Sequence, residues 1–73
     1  MEIWLLNEVR ICEGRLEVKN IGIYSSIEKL KEYVNFSYFD ESFVWYQLSA
    51  TLYKGESADY LLTANYYILD ELV

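Results

Sequence analysis

The dipeptide Glu13-Gly14 is the feature that most constrains how this chain folds. It separates two apolar-rich runs, and a two-residue loop ending in glycine is typical of a tight β-hairpin. The register imposed by this loop matches two apolar pairs and two opposite-charge pairs: Ile11 with Leu16, Val9 with Val18, Glu8 with Lys19 and Arg10 with Glu17. A slip of one residue would break both kinds of match, so the sequence predicts an antiparallel hairpin over residues 2–24.

The end of this hairpin nearer its termini is apolar on both faces. The same register places Leu5 opposite Gly22 and Ile3 opposite Tyr24 on one face. The other face carries four large apolar residues: Trp4, Leu6, Ile21 and Ile23. Apolar surface on both sides of a sheet is more than one short helix can cover. We therefore expect the protein to self-associate as a homo-oligomer or to form a tight hetero-complex.

Residues 26–34 have the pattern of a short amphipathic helix. Ser25 and Glu28 match the capping box, in which a serine and a glutamate three residues later satisfy the first backbone N–H groups of a helix. Apolar residues then recur at helical spacing at Ile27, Leu30 and Val34. Because isolated helices below about 12 residues are marginal in water, this helix is expected to dock on the sheet.

Two alternating runs, residues 43–54 and 60–70, predict a second hairpin. Their even-numbered positions are mostly apolar, and the polar stretch between them, residues 54–59, is the predicted loop. This pairing places Leu52 opposite Leu62, and it assigns Val44 and Tyr46 to the core face. Hairpin, helix and hairpin in that order predict an α+β fold: a ββαββ two-layer sandwich of an antiparallel sheet and one short helix.

Length, charge and cysteine content limit the classes of protein to which this chain can belong. Its 73 residues predict a single domain, 1–73, near the lower limit for folding alone. Twelve acids against six bases give a formal net charge of −6, which disfavours direct binding to nucleic-acid phosphates and favours basic protein surfaces. A lone cysteine, Cys12, with no signal-peptide pattern and no membrane-length apolar run, predicts a cytoplasmic protein that does not enter a membrane.

Few residues in the chain are suited to catalysis or metal binding. Histidine, the usual general base near neutral pH, is absent. Adjacent acids occur at Asp40-Glu41 and Asp70-Glu71, but neighbouring residues on a strand point to opposite faces and do not form a carboxylate pair across a cleft. Cys12 lies beside the acidic Glu13, which opposes formation of a reactive thiolate. We expect no enzymatic activity, no metal and no cofactor.

The most unusual stretch is NFSYFDESFVWYQ, residues 35–47, which combines six aromatic residues with two adjacent acids. Aromatic rings provide rigid contact area at protein interfaces, and acidic charges orient a basic partner. The predicted partner-binding residues are Phe36, Tyr38, Phe39, Asp40, Glu41 and Trp45. The alternative is a structural role, in which Phe36 and Phe39 close the open edge of the core while Tyr38 lies flat on it.

The run IGIYSSIEKLKEYV follows the first hairpin and contains a pattern of six residues: Gly22, Tyr24, Ser25, Ser26, Glu28 and Lys29. Over residues 1–34 the chain thereby resembles small uncharacterised proteins of phages and other mobile elements, in which a strand leads through two serines into a helix of Glu and Lys. The resemblance implies an accessory protein that binds and blocks a host protein, such as a nucleic-acid-handling defence enzyme. A phage-encoded protein of this kind would act in the host cytoplasm.

Three functions are compatible with these features. The first is a non-enzymatic acidic interaction module, with inhibition of a host defence or regulatory protein as its most specific form. The second is an oligomer that sequesters a small ligand, such as a nucleotide or signalling molecule, through one cluster of donors: Arg10, Arg15, Lys19 and Asn20. The third is a homo-oligomeric structural component.

Overall fold

Five antiparallel strands and one helix make up residues 1–69, the part of the chain that the computed structural model describes. In chain order the elements are β1 (Glu2–Cys12), β2 (Arg15–Tyr24), α1 (Ile27–Ser37), β3 (Val44–Ser49), β4 (Leu52–Glu56) and β5 (Leu61–Ile68). The strands form one sheet in the order β2-β1-β5-β4-β3. The α+β class is confirmed, but the layout differs from the predicted ββαββ because three strands follow the helix. The acid pair Asp70-Glu71 lies outside the described residues.

The first hairpin has the predicted turn, and the half of the hairpin next to that turn has the predicted register. Glu13 and Gly14 have φ angles of 52° and 77°, as a two-residue turn with both central residues in the left-handed region requires. Glu8 pairs with Lys19, and Arg10 pairs with Glu17. The register near the turn could therefore be derived from the turn residues and from the pattern of apolar and charged residues alone.

A β-bulge changes the register in the half of the hairpin nearer its termini. Between Leu6 and Asn7 the pairing shifts by one residue, so that Leu6 pairs with Gly22 and Trp4 pairs with Tyr24. The predicted pairing of Leu5 with Gly22 is wrong for this reason, and so is that of Ile3 with Tyr24. An extra residue in one strand sends the following side chains to the other face of the sheet. Tyr24 consequently shares a face with Trp4 and Leu6.

The helix begins one residue later than the capping pattern predicts. Ser26, not Ser25, is the N-cap, and its Oγ accepts a hydrogen bond of 3.1 Å from the backbone N–H of Lys29. α1 then continues to Ser37, three residues beyond the predicted end. Within residues 1–69 no helix is long and apolar enough to cross a membrane.

The second half of the sheet differs most from the prediction. Ala50 and Thr51 form a turn, so that the predicted single strand over residues 43–54 is two strands, β3 and β4, which pair with each other. A hydrogen bond of 3.2 Å from the Thr51 backbone N–H to Ser49 Oγ supports this turn. β4 and β5 pair in a register that places Gly55 opposite Leu62 and Leu52 opposite Asn65. The predicted pair Leu52–Leu62 is therefore wrong.

This change of register also reverses the faces of β3. Trp45 pairs with Gly55 and packs against the core, while Val44 and Tyr46 are exposed on the opposite face. The prediction that Val44 and Tyr46 belong to the core face is wrong, because the register differs from the predicted one by three residues, and a shift by an odd number moves every side chain of a strand to the other side.

The hydrophobic core lies between α1 and one face of the sheet, called here the helix side. Its fully buried members come from α1, β1 and β5: Leu6, Leu30, Val34, Leu62 and Ala64. α1 packs on β1 and β2, and half-buried aromatic rings extend the core around it: Trp4, Tyr38, Phe43, Trp45 and Tyr53. The opposite face is called here the open face. Within residues 1–69 no helix covers it.

Candidate protein-interaction site

The aromatic-acidic segment, defined here as residues 35–46, spans the end of α1, the connection to β3 and the start of that strand. The structure separates its predicted partner-binding residues into two groups. Tyr38 and Trp45 are half-buried and pack against the core, while Phe36, Phe39 and Asp40 are exposed and Glu41 is partly exposed. The segment therefore has an inner side and an outer side.

Tyr38 fixes the inner side of the segment. Its ring makes edge contacts with Tyr60 and Phe43, with centroid distances of 4.9 and 5.5 Å. Its hydroxyl donates a hydrogen bond of 2.9 Å to Oε1 of Glu8 on β1. Burial and, next, this hydrogen bond to a carboxylate raise the pKa of Tyr38 well above its ordinary value. Tyr38 thus ties the end of the helix to the sheet by packing and by a polar contact.

Glu8 is a buried carboxylate, and its two oxygens have separate partners. The residue is 5% exposed, and Oε2 accepts a hydrogen bond of 2.8 Å from Nε of Arg10. The same oxygen lies 2.7 Å from the second guanidinium nitrogen. The hydrogen bond and the charge of Glu8 raise the pKa of Arg10. A buried charge is tolerated only when it is paired in this way. Glu8 is cross-strand from Lys19 as predicted, yet its ion-pair partner is Arg10 on the same strand.

The connection after α1 is held by main-chain hydrogen bonds. The Tyr38 N–H donates to the Val34 carbonyl, and the Glu41 N–H donates to the Tyr38 carbonyl, both at 2.9 Å. These bonds close the helix end and turn the chain at Phe39 and Asp40. The outward residues are therefore carried by an ordered backbone, which lowers the entropy lost on binding a partner.

The exposure of Phe36 and Phe39 follows from their positions around Tyr38. Leu30, Val34 and Tyr38 are spaced by four residues and form the stripe that faces the sheet. Phe36 lies half a turn from that stripe and is 83% exposed, while Phe39 follows the helix end and is 79% exposed. The structural alternative, with Phe36 and Phe39 closing the core and Tyr38 flat on it, is the reverse of the observed arrangement.

Trp45 occupies a space that depends on a glycine. It lies across from Gly55 on β4, and a Cβ atom added at Gly55 would come within 2.8 Å of the Trp45 ring. From the helix, Nζ of Lys31 lies 5.7 Å from the Trp45 centroid and 5.1 Å from the Tyr53 centroid. Trp45 is thereby enclosed between the sheet and the helix, and its contact with a partner is limited to its uncovered part.

Two shallow clefts lie at the end of the sheet where β3 begins. One of about 170 Å³ is lined by residues 37–41 together with Tyr60. A larger one of about 440 Å³ lies between the first hairpin and the β4–β5 loop, and its lining includes Arg10 and two acids, Glu56 and Asp59. Because Arg10 is already paired with Glu8 and the lining holds two further acids, this cleft is a poor site for a phosphate or another anion.

The basic cluster considered for a small ligand does not converge on one point. Arg10 is bound to Glu8, and Nδ2 of Asn20 lies 3.4 Å from Oδ1 of Asn7. Arg15 and Lys19 are exposed on β2. Within residues 1–69 no group of three or more His, Cys, Asp or Glu side chains is placed to hold a metal ion, and Cys12 is exposed.

The anchoring residues Glu8 and Tyr60 were missed from the sequence. Trp4, Leu6 and Glu8 are every second residue of β1, so their side chains share one face of the strand. A charged residue in line with two core residues was the signal of a buried carboxylate. Tyr60 lies at an even-numbered position of the predicted strand 60–70, which assigned it to the core face with Leu62 but gave no indication of its contact with Tyr38.

No protein-family model matches the chain, and neither does any curated protein or solved structure. Folds do not by themselves assign functions, since unrelated activities recur on the same architecture. The function of this chain is therefore inferred from the surface described above.

Proposed function

We propose that this chain is a non-enzymatic interaction module whose aromatic-acidic segment binds a basic surface on a larger protein. The observation that supports this most is the exposure of Phe36 and Phe39 on either side of the anchored Tyr38. Two phenyl rings held in water on an ordered backbone can bury their surface only against another molecule. Each ring would contribute the apolar contact area that is typical of interaction hot spots.

Charge around the rings defines the kind of partner. Asp40 and Glu41 adjoin Phe39, and the chain as a whole carries a formal net charge of −6. Acidic side chains at the rim of a contact attract a basic surface and raise the association rate, with little gain in affinity from each pair. The proposed partner is therefore a protein with a Lys- or Arg-rich surface around an apolar depression.

The most specific form of the proposal is an inhibitor of a host nucleic-acid-handling defence or regulatory protein, encoded by a phage or mobile element and acting in the host cytoplasm. Its support is the resemblance of residues 1–34 to small accessory proteins of such elements. Proteins that handle nucleic acids carry basic surfaces, and these are the surfaces that an acidic protein would cover.

A second candidate is a homo-oligomeric structural component. It is favoured by exposed apolar side chains on the open face: Ile11, Leu16, Val18 and Ile23. A small-ligand sequestering oligomer is less well supported, because the larger cleft is lined by Glu56 and Asp59 and its arginine is paired with Glu8.

A pulldown from host-cell lysate with charge-reversed variants tests the proposal. The test variant combines Asp40→Lys with Glu41→Lys. The control combines Glu17→Lys with Glu32→Lys, which changes the net charge equally at exposed positions on β2 and α1. Wild-type protein and control should retain the same partner, and the test variant should lose it. Raising the salt concentration should weaken wild-type capture, because exposed charges are screened.

Equal loss in both variants would show that net charge alone drives capture, and it would overturn the assignment of the site. Retention by the test variant would show that Asp40 and Glu41 take no part in binding. Thermal unfolding of each variant checks that the fold is intact, since exposed substitutions are expected to change stability by no more than about 0.5 kcal/mol.

A further inference from the structure

The two edges of the sheet differ in charge. β2, at one edge, has the sequence RLEVKNIGIY with three charged residues, Arg15, Glu17 and Lys19. β3, at the other edge, has the sequence VWYQLS and no charged residue. Natural sheets commonly protect their edges with charged side chains, because an edge strand presents unpaired backbone groups to any other strand. β3 lacks this protection.

The free side of β3 is also suited to pairing by its shape. β3 pairs with β4 on one side, and within residues 1–69 no strand pairs with its other side. Its register with β4 is regular from Val44 to Gln47 and shifts only after Gln47. β2, by contrast, contains the bulge opposite Leu6 and Asn7, which interrupts a straight edge.

We infer that β3 pairs antiparallel with β3 of a second copy of this chain, joining the two five-stranded sheets into one. Charge is the reason for assigning a second copy to this edge. Two chains of net charge −6 repel one another, and contact is least costly where neither chain carries a charge. Pairing of β3 with its symmetry mate brings only uncharged side chains together along the strands and satisfies the free backbone groups of both edges.

Packing of two open faces against each other would cover the exposed apolar side chains of that face, but it is the poorer alternative for a dimer. A row of polar side chains crosses the middle of that face from β2 to β4: Asn20, Asn7, Thr63 and Lys54. Face-to-face packing would bury this row, and removing the amide groups and the Lys54–Glu56 ion pair from water is costly. Edge pairing leaves the whole row in water.

The area of the contact sets the strength of the expected dimer. Pairing of a six-residue strand buries less than the roughly 800 Å² per partner that is typical of a tight complex. The dimer should therefore be weak, with dissociation in the micromolar range. This inference identifies a surface for the self-association considered above, and it does not depend on partner binding by the aromatic-acidic segment.

Sedimentation velocity with two matched variants, Val44→Lys and Val18→Lys, tests the inference. Val44 and Val18 are the two ends of one cross-strand row on the open face, which runs through Glu56, Leu61 and Val9. They are 55% and 60% exposed, so both variants should fold. Lys at position 44 lies opposite Glu56 within the chain, which favours the folded monomer, but it puts a charge on the edge strand that the second copy must cover.

Wild-type protein should show concentration-dependent dimerisation in the micromolar range. Val44→Lys should raise the dissociation constant by about 10-fold, since a lysine on an edge strand disfavours its pairing with another strand. Val18→Lys should dimerise like the wild type. Hydrogen exchange should show amide protection that increases with concentration in β3 and not in β2.

A wild-type protein that stays monomeric at several hundred micromolar would overturn the inference. Loss of the dimer in Val18→Lys alone would assign it to β2, and loss in both variants would assign it to the open face; each contradicts pairing through β3. The variant Asp40→Lys with Glu41→Lys should dimerise normally. A failure of partner capture can thus be told apart from a failure of dimerisation.

Discussion

The inner and outer sides of the aromatic-acidic segment have similar chemistry and opposite environments. Tyr38 packs on the core and is bound to the buried Glu8, while Phe36 and Phe39, two and one residues away, are exposed. Composition alone does not separate core from interface in such a stretch. Helical periodicity does separate them. Tyr38 follows Val34 by four residues and therefore faces the sheet, while its neighbours face solvent.

We therefore expect the inner residues to stabilise the fold and the outer residues to bind a partner. The predictions that follow test the inner side first, from the largest expected effect to the smallest. The outer side is tested last.

Replacing Tyr38 with alanine should have the largest effect on stability. Tyr38→Ala removes a ring packed between Phe43 and Tyr60, and it also leaves Oε1 of the buried Glu8 without its donor. Loss of a packed aromatic ring costs about 3–5 kcal/mol of unfolding free energy. Urea denaturation followed by circular dichroism measures it. A loss below about 1 kcal/mol would show that Tyr38 does not anchor the segment.

Adding a methyl group at Gly55 should displace Trp45. Gly55→Ala places a Cβ within 2.8 Å of the Trp45 ring, whose rigid indole is enclosed by the helix side. Overpacking of this kind costs about 1–3 kcal/mol. The control is Gly22→Ala, where only the Tyr24 hydroxyl comes within 2.8 Å and the nearest ring carbons lie at 3.2 and 3.3 Å. Denaturation and tryptophan fluorescence should both change in Gly55→Ala and change less in the control.

Removing only the Tyr38 hydroxyl should have a smaller effect, and one that depends on pH. Tyr38→Phe keeps the ring but leaves a buried carboxylate oxygen unpaired, at a cost of about 1–2 kcal/mol near neutral pH. The pKa of Tyr38 is raised in the folded protein, first by burial and then by Glu8, while in the unfolded chain it is near the ordinary value of 10.0. Its contribution to stability is therefore complete below about pH 10 and is lost as the pH rises above that value.

The wild type should accordingly lose unfolding free energy more steeply than Tyr38→Phe between about pH 9.5 and 11. Denaturant titrations at a series of pH values measure this difference. Tyr46→Phe, at an exposed position on β3, serves as the control and should follow the wild type. Parallel slopes for wild type and Tyr38→Phe would contradict the coupling between Tyr38 and Glu8.

The parts of the fold that the sequence predicts correctly are those governed by strong local chemistry. Glu13-Gly14 has the left-handed φ angles that a tight hairpin needs, and the charge pattern around it fixes the register near the turn. The turn at Ala50-Thr51 contains no glycine, proline or asparagine, and Ser49 and Thr51 also fit the polar positions of the alternating strand pattern. Missing the turn merged β3 and β4 into one predicted strand. Trp45 was assigned to the wrong face because the register of β4 with β5 differs from the predicted one by three residues. The bulge opposite Leu6 and Asn7 likewise has no signal in its residue types.

The aromatic-acidic segment could be predicted from the sequence as the candidate site. Which of its residues pack on the core and which are exposed could not. Continuing the helical stripe by one more turn would have assigned Tyr38 to the core and Phe36 to solvent. The end of the helix was placed too early for that, at residue 34 instead of Ser37. The role of Glu8 depends on a contact across 30 positions of sequence, with Tyr38 as donor. The position of Glu8 in line with Leu6 indicates its burial, but its contact with Tyr38 is set by tertiary packing and leaves no local pattern.

The double variant Phe36→Ala with Phe39→Ala, compared with Tyr38→Phe, tests most directly whether the inner residues stabilise the fold and the outer residues bind a partner. Unfolding free energy and partner capture are measured on the same protein preparations. The double variant should keep its unfolding free energy within about 0.5 kcal/mol of the wild type and should lose the captured partner. Tyr38→Phe should lose stability and, while folded, retain the partner. Unchanged capture by the double variant, or its unfolding, would contradict the account.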